Sequence, residues 1–391
     1  MEKTSLFQYI VEHRQPFIDL ADYIYDHPET GYQEYQACAA ITKLLEEYGF
    51  SVERNLVGIE TAFRAIYENG SGGPSIGLLC EYDALEKVGH ACSHHLQAPI
   101  IVLAALAVKE CLKDMPYKLV VYGTPAEEGL GGKILMEERG CFNDIDLSLM
   151  VHGWSHTFVD VKSYASWKYV VEFFGKSTHA ALNPYDGRSA MDALLLAFQG
   201  VEFMREHVRD TSRMHYTVLD AGGPANVVPA YASGSFMLRS FSNRYIEEMD
   251  VRFRNIIQGA ALMTGTDYKI DLCSKYIAKV PSFMLNDLMI ENAKTVGVPR
   301  IIPPIEEAGS TDFATVMYKA PGAVIRIAFS PEDAAPHSQG MLLAGKSPEA
   351  KRAVVQGAQV IAGVCCDIIS QPGLLQEITE EFQETKRKMA Q

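Results

Sequence analysis

Four short, mostly apolar runs constrain this chain more than any other feature: SIGLLC at residues 75–80, KLVVY at 118–122, LSLMV at 147–151 and AVIRIAF at 323–329. Runs of this length, rich in Val, Ile and Leu and without polar alternation, predict strands covered on both faces, as in parallel sheets. A helical segment at 98–112 separates the first two, and a strong helix is expected at 347–369. The alternation predicts an α/β domain with a mostly parallel sheet and helices on both faces. Upstream, residues 5–25 read as one amphipathic helix that ends before His27-Pro28, since the residue preceding a proline avoids the helical region. Residues 34–48 read as the next helix, with Gly49 as its stop.

The pattern changes near residue 164. Strands are expected at 169–174, 232–240 and 268–272, with helices at 190–208 and about 245–263. This β-α-β-α-β order, with open alternation in its strands, predicts a smaller α+β, ferredoxin-like domain with one solvated sheet face. The α/β style returns after Pro281. A length of 391 residues suits about two domains. We therefore expect a catalytic domain from residues 1–163 and 280–391, interrupted by an inserted domain at 164–279.

Charge and composition narrow the partners. The chain has 49 acidic and 35 basic residues, a formal charge of −14, and no basic stripe, which argues against nucleic acid. The apolar stretch at 98–108 is too short to span a bilayer, and the N-terminal residues do not read as a signal peptide. Eight scattered cysteines, two of them adjacent at Cys365-Cys366, are read as reduced, so a cytoplasmic location is expected.

The polar groups sit where an open α/β sheet gathers its ligands, at the carboxyl ends of its strands. Glu81 and Asp83 follow the first run, with His90-Ala91-Cys92-Ser93-His94-His95 shortly after; Glu127-Glu128, His152 and His337 follow the others. Any one of these alone is ordinary: a lone histidine is usually a satisfied core or surface residue, and a lone cysteine a small apolar one. On consecutive strand ends, however, Cys, His and Glu form a donor set suited to zinc and other borderline divalent metals. Cys92, His94, Glu128, His152 and His337 are five candidate ligands, enough for two ions with a shared bridge. Glu127 is then spare, and a carboxylate beside a ligand suits a general base. Gly129-Leu130-Gly131-Gly132-Lys133 lacks the full phosphate-loop pattern and follows two glutamates, so it reads as a tight turn and helix start.

Several motifs then occur in a familiar order: His27-Pro28-Glu29-Thr30-Gly31, Glu81-Tyr82-Asp83-Ala84-Leu85, Gly89-His90-Ala91-Cys92 through His94, and Pro125-Ala126-Glu127-Glu128-Gly129. They continue with His152-Gly153, Ser177-Thr178-His179-Ala180-Ala181, GGPANVVP at 222–229, Gly309-Ser310-Thr311-Asp312 and His337. Along nearly its whole length the chain resembles metallopeptidase family twenty, in its aminoacylase and aminobenzoyl-glutamate hydrolase branch. The resemblance implies that Cys92 bridges two divalent ions (zinc or manganese, with cobalt also suited), that His94 and His152 hold one, and that Glu128 and His337 hold the other. It implies Glu127 as general base and an inserted lid and homodimerisation domain. His179 and Asn226 would then reach a partner subunit's active site, with His179 stabilising an oxyanion. Arg239 is a candidate for gripping a substrate carboxylate, a task that suits its planar fork. Asp83 and His95 are placed behind the ligands. Three departures stand in or beside the site: Ser93 where the family has glycine, His95 where it has Asp or Asn, and Ser338-Gln339-Gly340 after His337 where it has Thr and an acidic-aromatic pair.

The expected activity is metal-dependent hydrolysis of the amide bond in a small N-acyl amino acid, dipeptide or aminobenzoyl-glutamate-like substrate. A hydrolytic deaminase on the same site, releasing ammonia, and a non-catalytic metal-binding protein are the alternatives. The intact Glu127-Glu128 pair argues against the latter.

Overall fold

The computed structural model describes residues 3–390. Its strands are β1 (Ser51–Arg54), β2 (Phe63–Asn69), β3 (Ser75–Cys80), β4 (Tyr117–Gly123), β5 (Leu147–Trp154), β6 (Phe158–Ser163), β7 (Ala165–Phe174), β8 (Arg213–Asp220), β9 (Tyr231–Ser240), β10 (Asp267–Tyr276), β11 (Ile305–Ala308) and β12 (Gly322–Ala328). Its helices are α1 (Lys3–His13), α2 (Gln15–Asp26), α3 (Tyr35–Glu47), α4 (Gln97–Cys111), α5 (Gly132–Glu138), α6 (Ala190–Arg205), α7 (Asn243–Thr264), α8 (Phe283–Val296), α9 (Phe313–Lys319), α10 (Gln339–Ala344), α11 (Pro348–Ser370) and α12 (Leu374–Ala390). The chain divides into two compact units, one of residues 1–162 and 279–391, the other Ser163–Ala278.

The four apolar runs lie at the centre of the first unit. An eight-stranded sheet runs β1-β2-β4-β3-β5-β12-β6-β11. Its middle is parallel, β4 beside β3, β3 beside β5 and β5 beside β12. The β1–β2, β2–β4 and β12–β6 pairs are antiparallel. Alternate residues feed two cores. Leu78, Val121, Leu149 and Ile325 pack on one face with α4, α8 and α11, whereas Leu79, Val120, Met150 and Val324 pack on the other with α5 and α9. Burial on both sides explains why these strands lack polar alternation.

Some sequence expectations need correction. The helix expected over 5–25 is two helices, α1 and α2, because Pro16 opens α2 and cannot continue a helix through its own nitrogen. The 23-residue α11 is long and apolar enough to cross a membrane, a length the apolar run at 98–108 does not reach. About two-thirds of its most apolar stretch (67%) is buried, and it packs as an interior helix.

In the second unit, β8 was not foreseen, so the order is β-α-β-β-α-β and the sheet has four strands, β10-β7-β9-β8, all antiparallel. One face is covered by α6 and α7 through Tyr169, Val171, Phe236 and Phe253. Edge strand β8 is exposed along most of its length, including Val218 and Leu219.

Candidate metal centre

The carboxyl edge of the parallel strands carries the site in the first unit. Cys80 ends β3, and the chain turns at once through Glu81 and Asp83, both buried. His94 follows Ser93, which holds a left-handed backbone with φ +66°. Its hydroxyl donates to the Gly153 carbonyl at 3.1 Å, tying this loop to the end of β5.

Each imidazole is oriented by one nitrogen and presents the other. His94 Nδ1 lies 2.9 Å from Asp83 Oδ1 and 3.1 Å from the Asp83 carbonyl. Its Nε2 is buried without a hydrogen-bond partner, 3.3 Å from Glu81 Oε2 but misaligned for a bond. His152, inside β5 and opposite Arg326 of β12, places Nδ1 2.7 Å from the Gly153 carbonyl and turns Nε2 to the Cys92 sulfur at 3.6 Å. Such outer hydrogen bonds fix the tautomer of metal-binding histidines. Asp83 also accepts the Glu128 N–H at 2.9 Å, so one carboxylate orients both His94 and the Glu127-Glu128 segment.

The potential ligand atoms form overlapping groups, each with all atoms within 4.8 Å of one another. Cys92, His94 and His152 form one, Cys92, Glu128 and His337 a second, and His94, Glu127 and Glu128 a third. Cys92 is common to the first two, the placement a bridging thiolate needs. All five expected ligands are thus brought together with Glu127 beside them. His337 stands on the loop between β12 and α10 with φ +60°, its side chain 50% exposed and its Nε2 3.5 Å from Glu128 Oε1. That Glu128 oxygen, like His94 Nε2, is buried without a hydrogen-bond partner. Orphaned donors of the right chemistry, aimed at common points, fit divalent ions.

The electrostatics agree with that fit. Burial, then Arg326, holds His152 well below the usual histidine range, keeping it neutral as a ligand must be. At His94 burial opposes the charge, but Cys92, Asp83 and Glu81 outweigh it, so this field favours a cation. Burial pushes the Cys92 thiol up to about 12, and thiolate character there needs a nearby positive charge. Burial, then Glu81 and Asp312, raises Glu127 well above the carboxylate range.

Other expected residues lie apart from this cluster. His95 stands behind it, with Nε2 3.0 Å from the Gly345 carbonyl and its ring against Tyr25 and His90. No ligand group among the described residues includes it. In the second unit, exposed His179 and Asn226 lie side by side, the Ala180 N–H donating to the Asn226 carbonyl at 3.0 Å. Arg239, half-buried on β9, pairs in register with Ser166 and Arg213. The Gly-rich segment after Glu128 is a turn and the start of α5. A side chain at Gly132 would lie 1.9 Å from the Pro125 carbonyl oxygen, so only glycine fits. Sequence reasoning missed Lys133 and Glu34. Lys133 bridges Glu81 and Asp312, and Glu34 accepts the Ala126 N–H at 2.8 Å.

Comparison with known proteins agrees with this architecture. A peptidase dimerisation domain of the M20 type matches residues 161–261. Among curated relatives, the Xaa-Arg dipeptidase of Mus musculus is 31% identical over 376 residues, covering 92% of this chain and 87% of its own. One chain of the p-aminobenzoyl-glutamate hydrolase of Escherichia coli K12 is 35% identical over 314 residues, 73% of this chain and 63% of its own. A solved Bacillus subtilis structure, described as a dinuclear metal-binding peptidase of the M20 family, superposes with a TM-score of 0.71 at 17% identity, covering 93% of this chain and 99% of that one. The chain belongs to the M20 family of metallopeptidases and related amidohydrolases, and it is a hydrolytic enzyme.

Proposed function

We propose that this enzyme cleaves the amide bond of a dipeptide, a small N-acyl amino acid or an aminobenzoyl-glutamate-like substrate, using two divalent ions, zinc or manganese. The observation that carries the reading is the sharing of Cys92 between two ligand groups with Glu127 adjacent. Dipeptides come first because the mouse relative, aligned over 92% of this chain, is named a dipeptidase.

Cys92, His94 and His152 would hold one ion, and Cys92, Glu128 and His337 the other. When bound, the ions supply Lewis-acid activation of water and of the scissile carbonyl. Glu127 takes the proton from the attacking water and returns it to the leaving amine. His179 donates a hydrogen bond to the tetrahedral oxyanion, an interaction commonly worth roughly 3 kcal/mol of barrier. Asn226 supports it, and Arg239 binds a substrate carboxylate through its planar fork.

The inserted domain is assigned as a lid and homodimerisation module, with His179 and Asn226 serving a partner copy. Their exposed, adjacent positions and the match to a dimerisation domain support this. The cytoplasm is the proposed location, since all eight cysteines stand free, including exposed Cys273.

The test is a product assay. The purified enzyme with added zinc or manganese is offered dipeptides, N-acyl amino acids and aminobenzoyl-glutamate. Release of a free amino acid is expected. Ammonia as the sole product would instead establish a deaminase.

A further inference from the structure

Beside the ligand groups lies a fourth cluster: carboxylate oxygens of Glu81, Glu127 and Asp312, all within 4.8 Å of one another. Three carboxylates this close in a buried site repel strongly and need a counter-charge. Here a side chain supplies it. Lys133 is fully buried, its Nζ 2.6 Å from Glu81 Oε1 and 2.6 Å from Asp312 Oδ1. Burial opposes the charge on Lys133, but Asp312 and Glu81 more than offset it, so it stays an ammonium. The cluster is therefore already filled and is not a third metal site.

The backbone fixes this cation relative to Glu127. The Lys133 N–H donates to Asp312 Oδ2 at 3.0 Å, so Asp312 grips both backbone and side chain. Gly132, the preceding residue, packs directly on the Pro125 carbonyl, two residues before Glu127. On the other side Glu81 carries the grip onward: its Oε2 accepts from Gln97 at 2.7 Å and lies 3.3 Å from His94 Nε2. Three segments far apart in sequence, after β3, at the start of α5 and before α9, thus converge on one ammonium beside the general base.

We propose that Lys133 is a positioning residue for the hydrolysis: clamped between Glu81 and Asp312, it is the built-in counter-charge that holds the Glu127 carboxylate in its working place. This rests on the assignment of Glu127 as general base. It gives the Gly-rich segment ending at Lys133, and Asp312 of the Gly309–Asp312 motif, one shared purpose.

The experiment compares the full-length, metal-loaded parent with Lys133→Met, Lys133→Arg and the double variant Lys133→Met with Asp312→Asn, which removes one charge of each sign. Each is followed by thermal unfolding, calorimetric metal titration and steady-state hydrolysis of one substrate the parent turns over. The double variant should melt near the parent and bind as many ions. Its kcat should fall about 100-fold, the cost of a roughly 1 Å misplacement, while KM stays within about threefold. Lys133→Arg should recover part of the kcat lost in Lys133→Met. A folded, metal-binding double variant with parental kcat overturns the proposal, as does an effect confined to KM. So does failure of both the double and Arg variants to fold, which would assign Lys133 to folding alone. Parental turnover, read separately, tests the hydrolase reading by itself.

Discussion

The two ligand groups that share Cys92 have unlike surroundings. His94 and His152 are buried, His152 on a strand of the parallel core and His94 on the turn leading into α4, and each is aimed by a hydrogen bond to Asp83 or to the Gly153 carbonyl. Glu128 is largely covered, with Oε1 buried, but His337 is half exposed and rides a loop on a left-handed residue. One half of the site is pre-organised by the sheet and its outer hydrogen bonds. The other shares the Asp83 brace through the Glu128 N–H but is completed by His337 on an exposed loop. A buried, braced half-site should hold its ion tightly, and a half-site resting on an exposed loop should exchange more readily.

Several substitutions test this asymmetry. Glu127→Gln, at the junction of the halves, should have the largest effect, lowering kcat by about 10²–10⁴-fold with both ions retained. Loss of an ion from that variant would tie Glu127 to the metals as a ligand. His94→Ala should remove the tight ion, with an affinity loss beyond about 100-fold, whereas His337→Ala should leave the tight ion and weaken only the exchangeable one. Equal effects in calorimetric titration would erase the difference between the halves. Asp83→Asn, which keeps the shape but disturbs the proton shared with His94, should cost about 10–100-fold in affinity at the buried half.

The smallest effect concerns Glu34, whose carboxyl holds the Ala126 N–H next to Glu127. Burial, mainly, raises it to about 7. The folded state therefore keeps this proton to higher pH than the unfolded chain, which releases it near 4.5. The resulting contribution to stability is present below pH 4.5 and declines as pH rises to about 7. Glu34→Gln should flatten that decline and stabilise the metal-free protein by about 1–3 kcal/mol at pH 8. An unchanged pH dependence of the melting temperature would contradict it.

The same contrast explains what could be read from sequence. The parallel core was legible because strands buried on both faces must be apolar throughout, and the candidate ligands could be picked out because sheet topology gathers strand ends. Strand β8 was not, since seven of its eight residues are exposed and only Met214 is buried. The break between α1 and α2 was signalled by Pro16, which the amphipathic periodicity on either side masked. Lys133 was invisible for another reason. Its partners Glu81 and Asp312 lie 52 and 179 positions away, and only the folded chain brings them to one point.

The central claim is that two ions share Cys92 and serve one base. It is tested most directly by counting ions per chain in the parent and in Glu127→Gln, alongside turnover of an accepted amide. Close to two ions in both proteins, with turnover surviving only in the parent, is the predicted result. One ion or none in the parent, or a Glu127→Gln enzyme that still turns over its substrate, would contradict the account.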